Sequence, residues 1–201
     1  MKHTLITTIL ALIAITTTAC DKDKNNGCKY EDGDYTNLKT STVTAIAAPV
    51  LDVPANVQIV KLIEFENDAT FYEGGVFVND SIKIQLPETV STNDLYGILG
   101  TASEIRKSQN FLCAMAKLEG YDSNGNLLGE FDCYDPADGA TIALLFYADR
   151  DVTVTGKDNS CDTWRTEFKK GWNFLYFEGT DNGLVMTTTA PGNMVWRFSA
   201  K

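Results

Sequence analysis

Short β-type segments separated by turns are the feature that most constrains the fold of this 201-residue chain. About ten runs rich in β-branched and aromatic residues follow one another at spacings of roughly 8 to 15 residues, from VQIVKLIEFE (57–66) to MVWRFSA (194–200). No long helical periodicity interrupts them. This pattern predicts an all-β domain, a single antiparallel β-sandwich with a β-barrel as the alternative.

The segment from Trp172 to Phe177 has apolar residues on both faces. Aromatic residues at 172, 174 and 176 alternate with Asn173, Leu175 and Phe177. Side chains alternate between the faces of a strand, so this pattern predicts a central strand that is covered on both sides.

Two turn signals fix the predicted hairpins. Asn79-Asp80 separates two β-type runs, and DSNGN (122–126) separates two more. The second segment begins like a calcium loop, but Leu127 stands where an EF-hand requires glycine. Asn124-Gly125 between apolar runs is instead a strong hairpin signal, so we expect no metal there.

The first twenty residues resemble a bacterial lipoprotein signal peptide. Lys2 precedes an apolar stretch (5–15), and small residues lead up to Cys20. The stretch is too short for a transmembrane helix, and the other interpretation is a secretory signal cut after Ala19. The resemblance implies a signal peptide over 1–19 and acylation of Cys20. The polar composition of the residues that follow predicts a tether over 20–42, and the β domain then spans 43–201.

Charged residues follow Cys20 directly. The run Asp21–Lys24 resembles the surface-export signal of Bacteroidota lipoproteins, which implies an outer-membrane, cell-surface location. In enteric bacteria an aspartate at the position of Asp21 implies retention in the inner membrane, so the source organism decides between the two.

Three further segments resemble a group of uncharacterised Bacteroidota surface lipoproteins. They are SIKIQLPETVS (81–91), YDSNGNLLGEF (121–131), and YADRDVTVTG with FKKGWNFLYF (147–156 and 168–177). The resemblance implies an immunoglobulin-like or related β-sandwich. It implies no catalytic residue.

Charge and histidine content exclude several function classes. Lys2 is the only charged residue of 1–19, so the remaining chain carries 16 basic and 27 acidic side chains, a net charge of −11. No basic cluster that would bind nucleic acid is present. The only histidine is His3, within the signal peptide. A mature chain without histidine excludes Ser-His-Asp and Cys-His catalysis and His-ligated metal sites.

Four cysteines remain besides Cys20: Cys28, Cys113, Cys133 and Cys161. An even number in an exported protein predicts two disulfides, with three connectivities open. Cys113 and Cys133 flank a hairpin, Cys161 competes for Cys133, and buried thiols are the alternative. Zinc is not expected, because no two of them have CxxC spacing.

Acidic pairs and one tryptophan are the remaining candidates for chemistry. Glu64 and Glu66 are predicted to share a strand face with Glu73 opposite, a geometry that a glycan hydrolase could use, although a solvated face is favoured. Trp164 borders a polar loop and is the tryptophan expected to be exposed for sugar stacking.

These features together predict a membrane-anchored extracytoplasmic lipoprotein that acts as a non-enzymatic binding or accessory module, without a cofactor. The expected partner is a glycan or an envelope protein. The alternatives are a carboxylate-dependent glycan hydrolase and a structural subunit that assembles by strand exchange. The ligand and the oligomeric state do not follow from the sequence.

Overall fold

A computed structural model describes residues 42–97, 105–158, 162–181 and 183–201. Strands make up 58% of these residues, and none of them lies in an α-helix. The strands are β1 (Ala45–Leu51), β2 (Ile59–Glu64), β3 (Thr70–Val78), β4 (Ser81–Gln85), β5 (Arg106–Lys107), β6 (Cys113–Tyr121), β7 (Leu127–Tyr134), β8 (Ile142–Ala148), β9 (Val152–Lys157), β10 (Thr163–Phe168), β11 (Gly171–Thr180), β12 (Gly183–Thr187) and β13 (Val195–Ala200).

Most of these strands close into a ring. Hydrogen-bonded neighbours run β2-β6-β7-β13-β1-β4-β3 and back to β2. β8 pairs with both β6 and β7 where those two strands diverge, which makes the ring an eight-stranded barrel. The all-β prediction is therefore confirmed in its barrel form, and the sandwich is not. Parallel pairing of β1 with β13 closes the ring, and this contact joins opposite ends of the domain sequence.

Side chains fill the barrel interior. Phe131 and Phe198 meet edge to face at 5.1 Å between ring centroids. Residues from the other strands of the ring complete one buried cluster, including Ile46, Leu62, Ile82, Leu118 and Leu145. The inner positions alternate with outer ones along each strand, as in any small barrel.

The remaining strands extend from β8 as a sheet in the order β8-β11-β12-β10-β9-β5. β11 lies between β8 and β12, and from Trp172 to Phe177 it is buried on both faces, as predicted. Phe146 and Phe168 stack at 4.2 Å on the face opposite to that of Trp172, with Phe111 beside them. The sheet thus has its own aromatic core.

Both predicted turns form. Asn79 and Asp80 have φ values of 51° and 56°, the left-handed geometry that a tight hairpin needs. In the second turn, the Asp122 carboxylate accepts hydrogen bonds from the backbone N–H groups of Asn124 and Asn126, and Gly125 has a φ of 82°. Among the described residues no helix is long and apolar enough to span a bilayer.

Candidate functional site

A network of charged side chains covers the outer face of β2, β6, β7 and β13 and extends to Glu73 on β3 and to Asp68 between β2 and β3. We call it the charged face; its members are Lys61, Asp68, Glu73, Lys117, Glu119, Tyr121, Glu130, Asp132, Tyr134, Arg197 and Ser199. Period-two alternation places these side chains outside, because their strand neighbours fill the barrel interior.

Lys117 is the centre of the charged face. Its amine lies 3.0 Å from Glu119 Oε1, 3.1 Å from Glu130 Oε1 and 3.4 Å from Asp68 Oδ1. Glu119 and Glu130 are direct cross-strand partners, and the lysine bridges them. Burial by itself lowers the pKa of Lys117, but its hydrogen bonds to Glu119 and Glu130 outweigh this effect and raise it.

Glu119 is nearly enclosed although it belongs to an outer face. Its side chain is only 6% exposed. The Tyr121 hydroxyl donates to Glu119 Oε2 at 2.5 Å, and burial together with this hydrogen bond raises the pKa of Tyr121. Both carboxylate oxygens of Glu119 therefore have partners within the chain.

The network continues at both sides of this centre. On β2, Lys61 pairs with Glu73 at 3.0 Å and lies 4.7 Å from the centroid of the Tyr121 ring. On β7, the Asp132 carboxylate accepts a hydrogen bond from the Ser199 hydroxyl, and burial raises the pKa of Asp132.

Arg197 lies over the ring of Tyr134, with 4.7 Å between its guanidinium carbon and the ring centroid. It pairs across β13 and β7 with Asp132. The charged face therefore presents acids, bases and aromatic rings in fixed positions, which suits polar binding more than proton transfer at an open carboxylate.

The predicted Glu64–Glu66–Glu73 arrangement is wrong. β2 ends at Glu64, so Glu66 lies in the following turn and not on the same strand face. Glu64 is fully buried, and its Oε2 accepts hydrogen bonds from the backbone N–H groups of Glu66 at 2.7 Å and Asn67 at 2.6 Å. Within the described part of the chain, Glu64 Oε1 has no hydrogen-bond partner. The residue holds the turn between β2 and β3.

Trp164 is buried, not exposed as predicted. Trp164 is only 7% exposed, and its indole N–H lies 3.4 Å from Asp158 Oδ2. The ring faces the aromatic core of the sheet because it shares a face of β10 with Thr166 and Phe168, which are fully buried. An enclosed ring offers no open face for sugar stacking.

The FKKGWN segment has a structural role. Asn173 is fully buried; its amide donates to the carbonyls of Lys169 and Gly171 at 2.8 and 2.9 Å, and its oxygen accepts from the Lys169 N–H at 3.0 Å. Trp172 donates its indole N–H to the Pro87 carbonyl at 2.9 Å. Asn173 therefore holds the turn between β10 and β11, and Trp172 joins β11 to the segment that follows β4.

Cys113 and Cys133 are not joined to each other. They pair with Ala148 and Ala143 on β8, five residues apart, which separates them by about 17 Å along the strand. A disulfide needs Cα atoms within about 7 Å. The Cys113 thiol donates to the Tyr96 carbonyl at 3.2 Å, and burial raises the pKa of Cys133 to about 12. The disulfide predicted between them is therefore wrong; Cys20, Cys28 and Cys161 lie outside the described residues.

No group of three His, Cys, Asp or Glu residues in 42–97, 105–158, 162–181 and 183–201 could hold a metal ion. Ser108, Asp151, Glu167 and Lys169 border an open depression of about 150 Å³. Lys169 pairs with Glu167 at 2.6 Å and with Asp151 at 3.7 Å, so the charged side chains that line the depression are paired with one another.

No protein-family model, no curated protein and no solved structure matches this chain. The resemblance to Bacteroidota surface lipoproteins therefore stays a prediction from the sequence.

Proposed function

We propose that this chain is a membrane-anchored extracytoplasmic lipoprotein, acylated at Cys20, whose barrel is a non-enzymatic binding or accessory module of the cell envelope. The pattern before Cys20 supports acylation, and the polar segment 20–42 supports a tether that lifts the barrel off the membrane. The run Asp21–Lys24 supports an outer-membrane, surface-facing location.

The charged face carries the binding part of this proposal. Its central groups are held in place by one another, from the enclosed Glu119 to Glu73, whose side chain is 64% exposed. Preorganised polar groups lower the entropic cost of recognition. The barrel interior is already filled with side chains, so the outer surface is what the barrel offers to a glycan or an envelope protein.

Anchoring has a direct test. Cells that express the chain are labelled with an alkyne analogue of palmitate, and the protein is followed through membrane fractionation and surface proteolysis. We expect Cys20→Ala to lose the label and Cys28→Ala, the matched cysteine control, to keep it. A labelled Cys20→Ala protein would reject the anchor.

Binding is tested with the acylated chain on an array of envelope glycans and by quantitative co-purification from the envelope. We expect retention that Arg197→Gln and Glu73→Gln both weaken, with Glu88→Gln, outside the charged face, as the control. Equal retention by all variants would remove the charged face from the proposal.

A carboxylate-dependent glycan hydrolase is the second candidate. The observation that favours it is the cross-strand pair of Glu119 and Glu130, since retaining hydrolases place two carboxyl groups about 5.5 Å apart. Lys117 occupies the space between them, and this is why binding is better supported. Glycan release that Glu130→Gln abolishes would reverse the ranking.

Strand exchange receives less support from the geometry. The first described strand, β1, pairs with β4 on one edge and with β13 on the other. Both neighbours belong to the same chain, and a strand from another subunit would have to displace β4 along 45–49 or β13 at Val50 and Leu51.

A further inference from the structure

The outer face of β1, β4 and β3 presents aliphatic residues on the two flanking strands, β1 and β3, and Ser81, Lys83 and Gln85 on the central strand, β4. We call it the apolar face and define it by Ala47, Pro49, Leu51, Val76, Val78 and Lys83. Leu51, Val76 and Val78 are 54%, 46% and 39% exposed, and they are three of the four large hydrophobic residues that are exposed in the described part of the chain.

The strand register places these residues in rows. Pro49, Ser81 and Val78 form one row across the three strands, and Ala47, Lys83 and Val76 form the next. On the other side of the Pro49 row lie Leu51 and the turn at Asn79-Asp80. Successive rows are about 7 Å apart.

Charges of opposite sign flank the Pro49 row. Lys83 lies in the neighbouring row, between Ala47 and Val76. Asp52 and Asp80 lie on the opposite side of the Pro49 row, where β1 ends and where β3 turns into β4. All three are exposed, and none forms an ion pair with a residue of the described part.

We propose that the apolar face binds the apolar face of a second copy of this chain. A two-fold axis along the Pro49–Ser81–Val78 row, in the plane of the contact, places Val78 against Val78 of the second copy. The same rotation places Lys83 against the Asp80 turn of the second copy, and the reverse contact forms by symmetry. The two ion pairs fix the register of an otherwise flat apolar contact.

The composition of the face favours this occupant. Small aliphatic side chains on the two flanking strands suit face-to-face sheet packing, and the short Ser81 side chain between Pro49 and Val78 leaves their row flat. A bilayer interface is usually bound through tryptophan, tyrosine and clustered basic residues, and the apolar face has no aromatic residue and a single lysine. The proposed binding function does not depend on this dimer, because the central groups of the charged face, Lys117, Glu119 and Glu130, lie on β6 and β7. The two faces meet at their border, where Glu73 lies on β3 and Leu51 pairs with Arg197.

The test uses the chain as the cell processes it, purified in a mild detergent, with its mass measured by light scattering after subtraction of the detergent. We expect a concentration-dependent dimer. Val78→Glu should weaken it by about tenfold or more, because two carboxylates would face each other across the axis. Leu112→Glu is the matched control, since Leu112 has the same 39% exposure at another site, and it should leave the dimer unchanged.

Charge variants test the register. Lys83→Glu should weaken the dimer by placing like charges together, and adding Asp52→Asn and Asp80→Asn should recover part of the loss. Asparagine tolerates the positive φ of both positions, so the turn is kept. A short bis-maleimide should cross-link Val78→Cys to itself and not Leu112→Cys.

If the wild-type chain stays monomeric, the proposal is overturned, even if another molecule is found to bind the apolar face. A dimer that resists Val78→Glu, or that Leu112→Glu weakens equally, does so as well.

Discussion

The two outer faces of the barrel differ in whether their side chains find partners within the chain. On the charged face, Lys117, Glu119 and Glu130 satisfy one another within the chain. On the apolar face, Lys83 has no such partner in the described part, and valines are open to solvent.

The difference separates stability from assembly. An ion pair whose members are mostly buried stabilises the fold only while both members are present, because a lone buried charge is costly. Exposed valines contribute little to folding and gain more by contact with another surface. We therefore expect changes on the charged face to affect unfolding, and changes on the apolar face to affect association.

Lys117→Met should have the largest effect. Among the described residues it leaves the enclosed Glu119 with only the Tyr121 hydroxyl as a partner, and we expect the free energy of unfolding in urea to fall by about 3 kcal/mol. Lys61→Met, which breaks a pair with the exposed Glu73, should cost about 1 kcal/mol or less. Equal losses would show that enclosure does not distinguish the two lysines.

Closure of the ring under the charged face is tested by Gly129→Ala. A Cβ atom at Gly129 would lie 2.2 Å from the Ser199 carbonyl oxygen, so β7 and β13 would have to separate. We expect a loss of about 2 kcal/mol in urea unfolding. Gly179→Ala, where a Cβ meets no atom within 4 Å, should leave stability almost unchanged, and a similar loss there would contradict the steric explanation.

Asp132 on the charged face makes a smaller, pH-dependent contribution to the stability of the fold. Burial raises its pKa in the folded state, so the folded protein holds this proton more tightly than the unfolded chain does. The contribution of Asp132 to the free energy of unfolding is complete below the pKa that this group has in the unfolded chain. It is lost as the pH rises through the pKa of Asp132 in the folded protein. Urea midpoints from pH 3 to 7 should therefore show the wild type losing stability relative to Asp132→Asn as pH rises. A constant difference would argue against a titrating Asp132.

The apolar face should give the smallest effect on folding. Val78→Ser, measured at a protein concentration low enough to keep the chain monomeric, should change the free energy of unfolding by about 0.5 kcal/mol or less. Ile82→Ala, on the inner face of the same hairpin, should cost about 3 kcal/mol. A large loss from Val78→Ser would mean that the apolar face supports the fold itself.

Much of the fold could be predicted from local patterns. The two-sided apolar run of β11 and the turns at Asn79-Asp80 and Asn124-Gly125 are present as expected. Each depends on residues close together in the chain, through side-chain alternation or through backbone angles that few residues tolerate.

The charged face was missed, although a signal for it existed. Lys117, Glu119 and Tyr121 alternate along one strand, and the hairpin at Asn124-Gly125 brings Glu130 opposite Glu119. The acids considered instead, Glu64 and Glu66, depended on where β2 ends. That point is set by the turn that Glu64 itself holds through backbone N–H groups.

The exposure of Trp164 also depends on parts of the chain that are distant in sequence. A polar loop beside it predicted exposure, but the register of β10 with β9 and β12 turns the ring toward the core of the sheet. Which face of a strand is buried depends on its neighbours, and these are distant in sequence.

By itself the sequence determined most strands from β2 onward, two of their turns, the absence of histidine after His3, and the pattern before Cys20, because each is a property of neighbouring residues. It did not predict β1 or β5. Only the tertiary structure decided that the strands form a barrel, that Cys113 and Cys133 lie far apart, and that one outer face is charged and the other apolar. The parallel contact of β1 with β13 closes the ring, and its energy depends on the packing of residues about 150 positions apart.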